Sequence, residues 1–375
     1  MVAAVTVRKN GFVEFAYTGE PAWHGMGNVL PQGMSLEAWQ EAAGMDWTIV
    51  QTPAGMYVPE RMVDGEILPA GYVEVEGKNV LYRSDNFAPL GVLSDSYKIV
   101  QPKEILEFFR DLTEEAGFTM ETAGTLFDGK RFWALARATQ DAAIFDADDK
   151  VGGFVLLSTS ADGTLATEAR LTTVRVVCNN TLSLARAEGS KNAVKTRHKS
   201  VFKPDAAKHT LGLKPEEIRE SFETAMDGFR RMAKTRVTAN DTVRMTLELF
   251  GCDVDNMTDE EIEKASRMTL AKRIGSVAAG QNLIGSNLAG GSGSAWSWLN
   301  AVTQYVDHMA TTKSAAHRLD AAWFGKGNDL KMKAHEIAMV TAGNAPSVTY
   351  NAQEAAQEGI DGLLGDVLAA TAEGN

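Results

Sequence analysis

A short run near the middle of the chain combines two arginines with a tryptophan. Residues 131–137 read Arg-Phe-Trp-Ala-Leu-Ala-Arg. Because side chains alternate along a β-strand, Arg131, Trp133 and Arg137 would share one face. Cations neutralise phosphates and an aromatic ring stacks on a base, which contributes about 1–3 kcal/mol per base. The run therefore predicts a surface that binds single-stranded DNA. The alternative is a sheet face on which Trp133 packs under a helix, with the arginines at its rim.

A second cluster of cations follows about fifty residues later. Only Glu188 interrupts this densest basic run of the chain, which comprises Arg186, Lys191, Lys195, Arg197, Lys199 and Lys203. His198 lies within the run, and Arg170 and Arg175 would extend it. Such a run suits a phosphate backbone, since each neutralised phosphate of a single strand contributes about 0.7 to the salt dependence of binding. We predict a DNA-binding segment here, and the alternative is a solvated linker.

Residue patterns for covalent chemistry are weak. Trp23-His24-Gly25 has no second metal ligand at a suitable spacing, so a packed turn is the simpler interpretation. Asp146, Asp148 and Asp149 form an acidic turn that would hold a cation in a metal-dependent nucleic-acid hydrolase. A solvated turn explains the same residues without a ligand. We therefore expect no catalytic residue, no metal and no cofactor, and the hydrolase stays as an alternative.

Composition indicates a globular protein, and its charged residues are unevenly distributed along the chain. The 375 residues are 44% apolar and 23% charged, and the net charge is −12. Residues 186–236 hold thirteen Lys and Arg against seven Asp and Glu, whereas residues 341–375 hold five acids and no base. The global charge disfavours a coat on duplex DNA, and only a local basic region would attract phosphates. No segment is typical of a membrane span or of a secretion signal, so we expect a cytoplasmic protein.

The order of predicted elements indicates an α+β fold. A helix is predicted over 102–117, followed by two hairpins with Asp-Gly turns at Asp128 and Asp162 and by a helix from Leu182. The pattern after Pro204 is mainly helical. We predict an irregular N-terminal arm (1–65), an α+β core with an antiparallel sheet of hairpins flanked by helices (66–203), a helical region (204–340) and an acidic flexible tail (341–375).

Several phrases resemble the phage/plasmid-like family of unknown function, which bacteriophages and plasmids encode. They occupy residues 20–27 (Glu-Pro-Ala-Trp-His-Gly-Met-Gly), 173–182 (Thr-Val-Arg-Val-Val-Cys-Asn-Asn-Thr-Leu), 197–198 (Arg-His), 295–296 (Ala-Trp), 300–308 (Asn-Ala-Val-Thr-Gln-Tyr-Val-Asp-His), 324–327 (Phe-Gly-Lys-Gly) and 330–331 (Leu-Lys). The resemblance implies no settled activity. The order helix, hairpins, helix, basic residues is also similar to Rad52-type single-strand annealing proteins, a likeness of arrangement alone.

Together these patterns predict a phage DNA-metabolism protein that binds single-stranded DNA and anneals strands without covalent chemistry. Annealing as a homo-oligomer would present several strands at once. The acidic tail would compete with DNA or recruit a phage or host replication or recombination protein. Besides the hydrolase, a non-catalytic protein that acts on a host defence protein is a further alternative.

Overall fold

The computed structural model describes residues 6–19, 27–145, 148–175, 180–183, 193–210, 214–267, 269–278, 283–313 and 315–343. It confirms the predicted α+β class.

The strands are β1 (Phe15–Tyr17), β2 (Asn28–Val29), β3 (Ile49–Val58), β4 (Arg61–Val63), β5 (Glu66–Leu68), β6 (Gly71–Arg83), β7 (Pro89–Ser94), β8 (Thr119–Leu126), β9 (Arg131–Arg137), β10 (Ala142–Ala143), β11 (Lys150–Ser160), β12 (Thr167–Arg175), β13 (Asn180–Ser183) and β14 (Ala193–Thr196). The helices are α1 (Leu36–Ala42), α2 (Pro102–Glu107), α3 (Arg110–Glu114), α4 (Pro204–Thr210), α5 (Pro215–Lys234), α6 (Ala239–Leu249), α7 (Asp259–Ser266), α8 (Thr269–Ala278), α9 (Ala295–Gln304), α10 (Ala315–Phe324) and α11 (Lys326–Thr341).

The main sheet is built on the two predicted hairpins. Its strand order is β13-β12-β11-β9-β8-β1-β2, with β10 beside β11 and β14 beside β12. All its pairs are antiparallel except β1 with β2. At the first hairpin turn φ is positive at Asp128 (58°) and Gly129 (88°), a conformation that Gly and Asp tolerate best. The Asp-Gly pair therefore marked the turn correctly.

The region after β12 differs from the prediction. Residues 180–183 form β13, which pairs antiparallel with β12 from Arg175↔Asn180 to Thr172↔Ser183. The helix expected from Leu182 is wrong at this point. Asn and Thr favour helix caps but also turns and strand ends, so the edge of β12, which needs hydrogen-bond partners, decided the conformation.

The N-terminal region contributes to the main sheet. β1 pairs with β8, and Ser35 caps α1 by accepting a hydrogen bond from the Ala38 amide at 3.3 Å. Arg83 at the end of β6 donates to both carboxylate oxygens of Glu14, at 2.6 and 3.0 Å, and both side chains are fully buried. The regular elements β1, β2, α1 and the start of β3 therefore anchor much of the described part of 1–65, which was expected to be irregular. The proposed domain boundaries stay a prediction.

A second sheet extends into a projecting ribbon. Its order is β3-β6-β7, and the small hairpin β4–β5 lies at the far end of the β3–β6 pair. We call residues 54–77 the arm. From Gly55 to Gly77 every side chain is exposed except that of Val58, which is half-buried.

The helix predicted over 102–117 is split into α2 and α3.

The C-terminal region is mainly helical, as predicted. Within it, α9 continues into a π-helical turn, Tyr305–Met309, which the periodicity did not show. All ten residues of α9 are buried, and the Trp298 indole donates to Thr246 at 3.0 Å. Within the described residues, no helix is both long and apolar enough to cross a membrane.

Candidate nucleic-acid interface

The predicted stacking residue Trp133 lies in the interior. Its side chain is 1% exposed, and its ring contacts Phe15 of β1 and Trp323 of α10 at centroid distances of 6.0 and 6.2 Å. Because α10 covers this face of the sheet, the ring is not available to a base. This arrangement matches the alternative of a tryptophan packed under a helix, and the expectation of an exposed face is not met at this residue.

Arg131 and Arg137 lie at the rim of that face and are engaged with acids. Arg131 forms an ion pair with Asp320 of α10 and donates to Thr164 at 3.1 Å. Arg137 forms ion pairs with Glu121, at 2.6 Å, and with Asp141. Neighbouring carboxylates therefore offset the charge that both arginines were expected to offer to phosphates.

Arg175 is a structural group of the core. Its Nε and Nη2 donate to the two carboxylate oxygens of Asp149 at 2.7 and 2.8 Å, and its guanidinium lies 5.5 Å from the centroid of the Trp296 ring. Both partners of the ion pair are buried. The pair ties β12 to the turn before β11 and to α9. It also engages one of the carboxylates that the hydrolase alternative requires, while Asp148 is exposed and Asp146 lies outside the described residues.

Arg170 belongs to a second group of charges, which are buried or half-buried and which we call the interior ionic cluster: Glu168, Arg170, Asp307, Asp329 and Lys331. Lys331 of α11 donates to Asp307 of the π-helical turn at 2.7 Å, and Arg170 lies 3.4 Å from Glu168 on the same strand. Burial lowers the pKa of Lys331, and Asp307 opposes this effect. Burial raises the pKa of Asp329, whereas Lys195 and Arg170 lower it.

Sequence reasoning assigned no role to four of these five residues. Two signals were nevertheless present: Asp307 and Lys331 stand inside the phrases that carry the family resemblance, and Lys331 adjoins the apolar face of α11 formed by Leu330, Ala334 and Ile337. A lysine at the edge of such a face requires a buried acid. Its partner is 24 residues away in sequence, so periodicity within one helix cannot identify it.

Four cations are exposed together on the protein surface. Lys195 lies on β14 at the edge of the main sheet, and Arg197, Lys199 and Lys203 follow in the connection to α4. We call residues 195–203 the basic segment, which contains no Asp or Glu. Lys195 also contacts Glu168 of the interior ionic cluster at 3.4 Å. The segment therefore places a charge of +4 on the surface next to that cluster.

The basic segment is held in place by two inward-facing residues. His198 stacks on Tyr97 at 4.4 Å, and its two ring nitrogens lie 2.9 and 3.1 Å from the carbonyl oxygens of Lys98 and Leu165. The Lys98 amide donates back to the carbonyl oxygen of His198 at 2.6 Å. Phe202 is 5% exposed and packs near Phe108. His198, predicted as a DNA contact, is thus an anchor of the segment, and the cations around it face solvent.

Several predicted features lie outside the described residues. They are Arg186, Lys191, the Trp23-His24-Gly25 motif and all but the first three residues of the acidic tail. Of the predicted contacts that the structure describes, it brings Lys195, Arg197, Lys199 and Lys203 together on one surface. It places Arg170, Arg175 and Trp133 in the interior.

Fold and charge distribution define a mixed α+β protein with a basic segment that begins on the edge strand β14 and with a helical C-terminal region. Residues 89–323, more than half of the chain, match the family model described as "Domain of unknown function (DUF932)". The chain belongs to this family. Neither a curated protein nor a solved structure matches it. The family description names no activity.

Proposed function

We propose that the protein binds single-stranded DNA through the basic segment and promotes strand annealing without covalent chemistry. The observation that supports this proposal is the set of four exposed cations at 195, 197, 199 and 203, in a segment free of acids. Cations that face solvent neutralise phosphates without the desolvation cost of burial. Arg170 and Arg175 would pay that cost and already hold carboxylates.

The anchoring of the segment favours binding. His198 and Phe202 fix its backbone against Tyr97, Lys98 and Phe108, so little conformational entropy is lost when a strand is bound. The ring of Tyr97 already stacks on His198. A strand held by its phosphates alone keeps its bases free to pair with a second strand, which is what annealing requires.

Annealing also requires at least two strands, so the proposal includes a homo-oligomer. Each copy would contribute one basic segment, and the acidic residues of 341–375 would compete with DNA or recruit a replication or recombination protein. A phage or plasmid origin and a cytoplasmic location remain part of the same proposal.

Binding of labelled single- and double-stranded oligonucleotides across a salt series tests the proposal. The test variant is Arg197→Ala/Lys199→Ala/Lys203→Ala. The control, Arg219→Ala/Lys264→Ala/Lys313→Ala, removes three other exposed cations and leaves the net charge equal to that of the test variant. We expect wild type and control to prefer single strands with a salt-sensitive affinity, and the test variant to lose about tenfold or more in affinity at low salt.

Absence of binding at low salt would refute the proposal and favour a protein partner instead. Equal losses in both triple variants would show a response to net charge rather than to this segment. Loss of intact oligonucleotide in the presence of Mg²⁺ or Mn²⁺ would favour the hydrolase alternative.

A further inference from the structure

The arm, residues 54–77, exposes an unusual amount of apolar surface. Met62 is 72% exposed, Ile67 63% and Tyr72 80%, and Met56 and Val73 are more than half exposed. The directly opposed pairs Met56↔Val73 and Tyr57↔Tyr72 are adjacent along the ribbon, so they point to opposite faces. Both faces of the two-stranded ribbon thus expose apolar side chains to water. Association with another surface would bury these side chains, which is favourable.

The charges of the arm are opposite to those of the basic segment. The arm has five acids, Glu60, Asp64, Glu66, Glu74 and Glu76, against one base, Arg61, which gives a net charge of −4. The basic segment has a net charge of +4 and also exposes an apolar side chain, since Val201 is 61% exposed. The two surfaces therefore complement each other in charge, and each offers apolar contact.

Among the described residues, no ion pair joins an arm residue to the basic segment of the same chain. Beyond the arm, β6 continues from Lys78 to Arg83 in register with β3 and β7, and the Asp95 amide donates to the Gly77 carbonyl at 3.1 Å. His198 holds the basic segment against Lys98, three residues after Asp95. The two surfaces start side by side at the base of the arm. Folding the ribbon back would break the pairing of β6 with β3, so the far part of the arm can meet a basic segment only on a second molecule.

We propose that the arm of one copy docks on the basic segment of a second copy of this chain. The contact is heterologous, so repetition of it produces a closed ring or an open filament. The inference rests on the proposed function and adds a regulation of it: the arm and a DNA strand need the same cations, so single-stranded DNA and a neighbouring arm displace one another from the basic segment. The docked assembly is therefore the DNA-free form, and a strand binds those copies whose basic segment it has freed from an arm.

Charge reversal on each side, followed by recombination of the reversals, tests the docking. The arm variant is Glu74→Lys/Glu76→Lys, the segment variant is Arg197→Glu/Lys199→Glu, and all four side chains are exposed. The control, Glu220→Lys/Glu223→Lys on α5, makes the same charge change as the arm variant. Molar mass is measured by sedimentation or light scattering over a concentration series at low salt, without nucleic acid, and circular dichroism verifies folding.

We expect wild type and control to self-associate, and each reversal to weaken self-association by about tenfold or more. The chain that carries both reversals should recover part of it, because the charges at 74 and 76 are then again opposite to those at 197 and 199, although both surfaces have a net charge of zero. A monomeric wild type, or self-association that both reversals leave unchanged, would overturn the docking. DNA binding separates the two proposals: the arm variant should retain it even if docking fails, whereas its loss in the segment variant concerns the proposed function.

Discussion

The arginines of the main sheet and the cations of the basic segment have the same charge but opposite environments. Arg170 and Arg175 are 5% and 3% exposed and contact carboxylates, whereas Arg197 and Lys199 face solvent. Both groups lie close together along one part of the chain. Burial separates the two groups: the buried arginines complete ion pairs within the fold, and only the exposed cations are accessible to a phosphate.

The largest effect should come from removing a buried cation. Arg175→Ala leaves Asp149 buried without its ion-pair partner, and we expect a loss of about 3–5 kcal/mol in the free energy of unfolding. Denaturant unfolding measures this loss. The double variant Arg175→Ala/Asp149→Ala should cost less than the two single changes combined. Additive losses would show that the pair is not a unit.

The interior should also respond to acid. Burial lowers the pKa of His335 to about 4, so the folded protein takes up no proton there between pH 6.5 and 4 while the unfolded chain does. Stability should therefore fall as the pH drops through this window, by about 3 kcal/mol in all, with no contribution above it. His335→Gln should remove most of this loss. The matched control is His317→Gln at the exposed His317, which should retain it.

Trp133 tests whether the covered face of the main sheet takes part in DNA binding. Trp133→Phe keeps an aromatic ring between Phe15 and Trp323 but removes the indole, so we expect a moderate loss of about 1–3 kcal/mol in the free energy of unfolding. Its affinity for single strands should stay within about twofold of wild type, because the ring is covered. A large loss of affinity in a folded variant would mean that α10 uncovers the face when DNA binds.

The smallest effect on stability should come from the basic segment. Lys199→Ala removes an exposed side chain with no ion pair among the described residues, and we expect a change within about 0.5 kcal/mol in the free energy of unfolding. Thermal unfolding beside Arg175→Ala provides the check. A loss comparable to that of Arg175→Ala would place Lys199 in the structural group.

The fold was predictable where local chemistry decides it, and less so where distant partners do. The Asp-Gly turn at Asp128 depends on neighbouring residues, and it was visible in the sequence. β13 depends on pairing with β12, and the helix prediction from Leu182 failed there.

In the candidate site, too, the sequence indicates local arrangement but not the packing of distant elements. Period two placed Arg131 and Trp133 on one face correctly, but it does not show that α10, nearly two hundred residues later, covers that face. Lys195, Arg197, Lys199 and Lys203 of the predicted basic run are exposed, and their role in DNA binding stays a prediction. The interior ionic cluster was not predicted, because its members come from β12, the π-helical turn and α11, which are far apart in the sequence.

The salt dependence of single-strand affinity tests most directly whether the basic segment, rather than the sheet face, contacts DNA. The slope of log Kd against log salt is compared for wild type, Arg197→Ala/Lys199→Ala/Lys203→Ala and Arg131→Gln/Arg137→Gln. We expect the slope to fall by about 2 in the segment variant, since three phosphate contacts at about 0.7 each are lost, and to stay unchanged in the sheet variant. A reduced slope in the sheet variant with an unchanged slope in the segment variant would contradict the account.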